Sequence, residues 1–160
     1  MSARMSAEEL RAWENFQTLA EVLHREVGRE LWDDAQLSDA EFSVLAHLQG
    51  ENSTGVRPSE CARSIGWDSS RLSHQLRRLE KRGLVAMKKG DGSDGRATLI
   101  IPTAAGQTAY RRAIGPHLRA AKRWFADALT DAQVRNLNDV LDTLLGHTND
   151  LSPSTTTRGD

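Results

Sequence analysis

The strongest constraint in this chain is a pair of short helical segments joined through only four residues, Gly66-Trp67-Asp68-Ser69, and followed at once by a change of period. Pro58 and Ser59 open the first segment, because proline fits the first helical turn, where its missing N–H costs nothing. Cys61, Ala62 and Ile65 form its inner face, and Gly66 ends it. Asp68 is a good cap for the second segment, Ser69 to about Arg82, which Gly83 terminates. A connection this short is that of a helix-turn-helix. Beyond it, Leu84-Val85-Ala86-Met87 and Thr98-Leu99-Ile100-Ile101 read as two short strands. Lys88 to Ala97 between them is rich in Gly, Asp and basic residues, the composition of a hairpin with a long exposed tip, and Pro102 closes the second strand.

Longer helices flank this centre. From Ala7 to Trp32 there is no proline, and Leu10, Trp13, Phe16, Ala20, Leu23, Val27 and Leu31 recur at steps of three or four, one apolar stripe. Ser38-Asp39-Ala40-Glu41 is a capping box leading into Phe42, Leu45 and Leu48, with Gly50 as the stop and Glu51 to Val56 as a polar loop. Thr103 caps a long helix to about Ala128, with a bend or break expected at Gly115-Pro116. Thr130 to Gln133 is a second capping box, and Val134, Leu137, Leu141, Leu144 and Leu145 stripe a last helix that ends near Gly146. The Ser/Thr-rich tail from Thr148 to Asp160 has no stripe and reads as disordered. The fold class is therefore mainly α: a winged helix-turn-helix between long N- and C-terminal helices. Its expected divisions are 7–33, 37–102, 103–147 and the tail 148–160.

The helix from Ser69 to Arg82 carries the functional reading. At about 100° per residue, Leu72, Leu76 and Leu79 share one side. The opposite side collects Ser70, His74, Arg77, Arg78 and Lys81, with Arg71 and Ser73 flanking. Glu80 is the only acid against five Arg or Lys in this helix, whereas ordinary surface helices mix signs. From Arg63 to Arg96 there are nine basic and four acidic residues, a net +5 in a chain whose total is −1. A solvated amphipathic face accounts for charge alone, but turn, helix and hairpin together point to double-stranded DNA. Ser70, Arg71, Ser73 and His74 suit base edges in a major groove, with Ser69 beside them in the DNA-binding set. Arg77, Arg78, Lys81 and Arg82 suit phosphates, the source of most affinity. In the hairpin, Lys88 and Lys89 can hold phosphates and Arg96 can enter a minor groove, braced by Asp94. A polar loop with no specific contact is the alternative for that segment.

The chain resembles the multiple-antibiotic-resistance regulator (MarR) family in three stretches: Leu37 to Leu45, Arg57 to Val85 with its Leu79-Glu80-Lys81-Arg82-Gly83-Leu84-Val85 ending, and Asp94-Gly95-Arg96 followed by Leu99 and Thr103-Ala104-Ala105-Gly106. The similarity runs from about Ala7 to His147. It implies a transcriptional regulator, usually a repressor, that acts as a homodimer joined through the terminal helices and binds a near-palindromic operator. It matches the family's wing arginine to Arg96 and the bracing acid to Asp94; Pro102 departs from the family's usual apolar residue. It also implies a small, often aromatic, anionic effector bound between dimer helices and winged domain, for which Trp13, His24, Trp32, His47 and Arg57 are the candidates. Independently of the resemblance, Trp13, Trp32, Trp124 and Phe125 lie in the terminal helical regions, whose stripes exceed what a small winged domain covers. Two copies covering each other is the simplest solution; an intrachain bundle is the alternative.

Other classes fit less well. Charged residues are 27% and hydrophobic ones 38% of the chain, as in a folded soluble protein, and no apolar run approaches the ~18–20 residues of a membrane span. No secretory signal is visible, and the single cysteine, Cys61, cannot form an internal disulfide, which suits a reducing cytoplasm. There is no Gly-rich phosphate loop, no Cys/His cluster at metal spacing and no His-Glu-x-x-His, so neither an enzyme nor a cofactor or metal is expected. A redox-responsive regulator using Cys61 is one alternative, although its inner-face position favours packing. A protein-interaction module without DNA binding is another, and it leaves the cationic helix face unexplained.

Overall fold

The computed structural model describes residues 4–50, 55–90 and 97–151. The elements are α1 (Ala7–Ala35), α2 (Asp39–Gly50), α3 (Pro58–Ser64), α4 (Ser69–Lys81), β1 (Val85–Lys89), β2 (Thr98–Pro102), α5 (Ala104–Trp124), a 3-10 turn (Ala126–Ala128) and α6 (Asp131–Leu151). Two compact units are present, residues 1–121 and 122–160. Among the described residues no helix is long and apolar enough to cross a membrane.

The core of the first unit is built where the helix-turn-helix meets α1, α2 and the hairpin. Leu31, Leu37, Phe42, Val44, Leu45, Leu48, Cys61, Leu72, Leu76, Leu79, Val85 and Ile100 are its buried members. The local signals that start and stop each helix operate as the chemistry requires. Ser6 and Glu9 form a capping box at α1, and Ser38 and Glu41 form one at α2, where Glu41 N–H donates to Ser38 Oγ at 3.2 Å. Asp68 caps α4 by accepting from Arg71 N–H at 2.8 Å. Gly66 and Gly83, both at φ +69°, take the left-handed conformation that ends α3 and α4.

The hairpin is antiparallel, in register from Val85 opposite Pro102 to Lys89 opposite Thr98. It has a third participant. Val56, expected at the end of a polar loop, pairs with Ile100 through two backbone hydrogen bonds of 3.0 and 2.8 Å and is buried. The chain then turns into α5 through Thr103, whose hydroxyl donates to Gly83 C=O at 2.6 Å and accepts from Gly106 N–H at 3.0 Å. Gly106 is dictated by space: a Cβ there would lie 1.9 Å from the Leu84 carbonyl oxygen.

Three expectations are corrected. No break occurs at Gly115-Pro116; α5 runs unbroken with Pro116 inside it. One lost backbone bond does not stop a helix held by the buried Ala113 and Ala120. At the end of α5, residues 126–128 form a separate 3-10 turn rather than prolonging the helix. Finally, α6 passes Gly146 and continues to Leu151, so Thr148 to Leu151 is helical and Thr148 Oγ1 donates to Leu145 C=O at 2.9 Å. A lone glycine costs a helix about 1 kcal/mol but does not terminate it. The rest of the expected tail lies outside the described residues.

Candidate nucleic-acid interface

Leucine placement orients α4. Leu72, Leu76 and Leu79 are buried in the core, so the opposite side of the same helix is forced outward. Ser69, Ser70, Arg71, Ser73, His74, Arg77, Arg78 and Lys81 are all exposed. One turn of hydroxyls and imidazole therefore precedes a cationic turn on a single surface. Arg77 Nε donates to Ser73 C=O at 3.3 Å, which lays this side chain along the helix. On β1, Lys88 and Lys89 are exposed beyond the buried Val85. Asp94 and Arg96 lie outside the described residues.

Arg82 is corrected. Its expected place was among the phosphate-facing cations, but Nη1 donates to Glu41 Oε2 at 2.7 Å and Nη2 to Gln36 C=O at 2.8 Å. The guanidinium thus ties the end of α4 to the start of α2. Glu41 is fully buried, and burial pushes its carboxyl up; the Ser38 N–H and the Arg82 guanidinium outweigh that, and its pKa lies below the ordinary 4.5.

Two open cavities lie beside α4. The first, about 410 Å3, is lined by residues including His24, Trp32, Asp39 and Arg71. The second, about 570 Å3, is bordered by His24, Asp39, Phe42, His47, Trp67, Arg71 and His117, among others. His24 Nδ1 pairs with Asp39 Oδ2 at 3.0 Å. The His117 ring stacks on Phe42 with centroids 4.2 Å apart, and burial lowers its pKa against the opposing pull of Asp39. His47 Nε2 and His117 Nδ1 are buried without a hydrogen-bond partner among the described residues. Of the five effector candidates, the structure brings His24, Trp32 and His47 to these cavities. Trp13 instead stacks on Phe16 at 6.1 Å, and Arg57 precedes α3 as its N-cap; neither lines these two cavities. Sequence reasoning missed Phe42, Trp67 and His117 as lining residues. Trp67 lies within the four-residue turn between α3 and α4, but no local pattern shows that α5 brings His117 to α2.

Cys61 is buried in the core, and burial raises its thiol pKa to about 11. That environment disfavours the thiolate on which oxidant sensing depends. Among the described residues no group of three His, Cys, Asp or Glu side chains is placed to hold a metal ion.

A winged helix DNA-binding domain family matches residues 37–106. Curated protein sequences give no match. Among solved structures, a MarR family transcriptional regulator from Streptomyces coelicolor, in complex with DNA, aligns at TM-score 0.83 and 29% identity, over 96% of this chain and 97% of that one. CouR from Rhodococcus jostii RHA1, bound to p-coumaroyl-CoA, aligns at TM-score 0.67 and 27% identity, over 80% and 87% of the two chains. AbsC, a second MarR family regulator from Streptomyces coelicolor, shares the fold at TM-score 0.82 and 23% identity, over 93% and 99%. The order of elements, the helix-turn-helix and the hairpin make the chain similar in fold to the MarR family of winged-helix transcriptional regulators, with a winged helix DNA-binding domain over residues 37–106.

Proposed function

We propose that this regulator is a repressor that binds a near-palindromic operator as a homodimer, with α4 in the major groove of each half-site. The outward face of α4 carries this reading: Ser70, Arg71, Ser73 and His74 for bases, then Arg77, Arg78 and Lys81 for phosphates, opposite three buried leucines. Lys88 and Lys89 extend the phosphate contacts along the wing, and Arg96, braced by Asp94, reaches the minor groove. The DNA complex of the similar Streptomyces regulator supports this use of the fold.

Residues 37–102 form the DNA-binding region in this reading, with 7–33 and 103–147 serving association. Two exposed apolar faces support a dimer. On α1, Leu10, Trp13, Phe16 and Leu19 are each about half exposed, and on α6 Val140, Leu144 and Leu145 are at least as open. A two-fold pair that covers these faces also places two recognition helices on an inverted repeat. An aromatic or anionic effector that releases DNA completes the proposal. His24, Trp32 and His47 border the cavities for it, and CouR with its bound p-coumaroyl-CoA supports a small-molecule ligand.

A gel shift with the chain's own promoter region at two salt concentrations tests the reading. Binding that weakens steeply with salt is expected. An absent or salt-insensitive shift contradicts it.

A further inference from the structure

Arg71 sits where a helix disfavours a cation. It is the third residue of α4, in a first turn that holds no acid, at the end where the backbone N–H groups gather positive charge. Its own N–H is taken by the Asp68 cap at 2.8 Å. The side chain is exposed, and its guanidinium lies over the Trp67 ring with Cζ 4.2 Å from the ring centroid, a cation–π distance. Trp67 is itself held: its N–H donates to Ala62 C=O at 2.8 Å, and its half-buried side chain packs against the core. The edge of the Arg71 guanidinium is open, since among the described residues none of its N–H donors is hydrogen-bonded or ion-paired. Two nearby arginines differ. Arg77 turns Nε back onto Ser73 C=O, and Arg82 gives Nη1 to Glu41 and Nη2 to Gln36 C=O.

Contact with a ring uses the flat face of a guanidinium and leaves the donors at its edge for another partner. A rigid fork of that kind matches the O6 and N7 acceptors that guanine presents in the major groove. Ordering a long side chain at the moment of binding lowers affinity, and a side chain already ordered avoids much of that loss. We propose that Trp67 is a positioning residue for DNA recognition: its ring holds Arg71 with the fork presented outward, and the fork reads one guanine in each half-site. The inference rests on the reading of α4 as the recognition helix. Trp67 itself touches no base and acts through Arg71 alone.

The test uses the full chain and duplexes that the wild type selects from a random-sequence library, with affinity read by fluorescence anisotropy. One half-site guanine is expected whose preference disappears in Arg71→Gln. Arg71→Lys, which keeps the charge but not the fork, is expected to lose the same preference while the salt dependence stays that of the wild type. Trp67→Leu is expected to weaken binding of the guanine duplex roughly 2- to 10-fold per half-site, the range for ordering one long side chain. Trp67→Phe, which keeps a ring, is expected to retain most of the wild-type affinity. Trp67→Leu is expected to change nothing on a duplex with that guanine replaced in both half-sites, or in an Arg71→Gln background. A loss that is equal on both duplexes, or that persists in Arg71→Gln, marks a merely structural tryptophan and overturns the proposal, as does no loss at all. Trp67→Met, closer in bulk, takes the place of Trp67→Leu if the leucine variant does not fold, with the same outcomes decisive. Enriched duplexes without an Arg71-dependent guanine overturn this inference alone. If the library yields no bound duplex for the wild type, the DNA reading itself fails.

Discussion

Arg82 closes the far end of α4 onto Glu41, 2.7 Å from guanidinium to carboxylate, with the carboxylate fully buried at the first turn of α2. The capping oxygen of one helix is thereby the anchor of another. Glu41 Oε2 accepts from Ser38 N–H and Ser38 Oγ as well as from Arg82, so one carboxylate serves both the start of α2 and the end of α4. The link adds to the burial of Leu72, Leu76 and Leu79, which turns the basic face of α4 outward.

Breaking that link destabilises the winged domain. Glu41→Ala removes the cap and leaves Arg82 without its acid, and a loss of about 3 kcal/mol is expected, at the low end for buried pairs because Arg82 is partly solvated. Urea unfolding measures it. The pH dependence has a definite sign. The folded carboxyl titrates below the ordinary value of 4.5, so its contribution is fully present above about pH 4.5 and is lost as pH falls through the folded value. The stability difference between wild type and Glu41→Gln is therefore expected to shrink below about pH 4.5 and to be constant above pH 6. A difference that grows on acidification contradicts the assignment.

Gly106→Ala tests the junction between wing and α5. The new Cβ meets the Leu84 carbonyl oxygen at 1.9 Å, so backbone must move. Destabilisation of about 1–3 kcal/mol is expected, as for overpacking elsewhere, despite alanine's better helix propensity. Thermal unfolding of this variant beside Gly146→Ala, where a Cβ meets nothing, separates crowding from propensity. The second variant is expected to be neutral or stabilised.

Substitutions on α4 sort by role. Arg77→Ala or Lys81→Ala is expected to weaken binding evenly across sequences and to reduce the slope of log affinity against log salt by about one. Ser70→Ala and His74→Ala are expected to alter base preference, at about 1–3 kcal/mol per lost contact. Binding curves on an operator and on its single-base variants distinguish the two behaviours. Uniform loss from all four would reassign the first turn of α4 to phosphates.

The α1 face bears on assembly. Trp13 and Phe16 are 49% and 52% exposed and stack on each other. Trp13→Glu with Phe16→Glu is expected to convert a dimer to monomer in analytical ultracentrifugation while leaving the melting of the winged domain little changed. An unaltered sedimentation coefficient would place the dimer contact elsewhere.

Local chemistry made most of the architecture legible. Ser38 with Glu41, Asp68, Gly66 and Gly83 act on neighbours within a few residues, so pattern and structure agree there. Three leucines at steps of four and three likewise orient α4 without further information. What was not legible depends on chain segments far apart. Arg82 reads as one more cation until Glu41, 41 positions earlier, is seen beside it. Phe42 and His117 stack across two helices whose pairing no periodicity encodes. Val56 joins the hairpin through a single bridge, too short to show alternation. Gly115-Pro116 suggests a bend or break and Gly146 an end, yet Pro116 and Gly146 both lie within helices. Packing overrides the first; the second is a small local cost without a stop signal beside it.

The central claim is that α4 reads duplex DNA from a two-fold pair of chains. Selection of bound duplexes from a random-sequence library, followed by sequencing, tests it most directly. Enrichment of an inverted repeat with half-site centres about one helical turn apart, roughly 10 base pairs, is the predicted result. No enrichment, or enrichment of a single unrepeated motif, would contradict it.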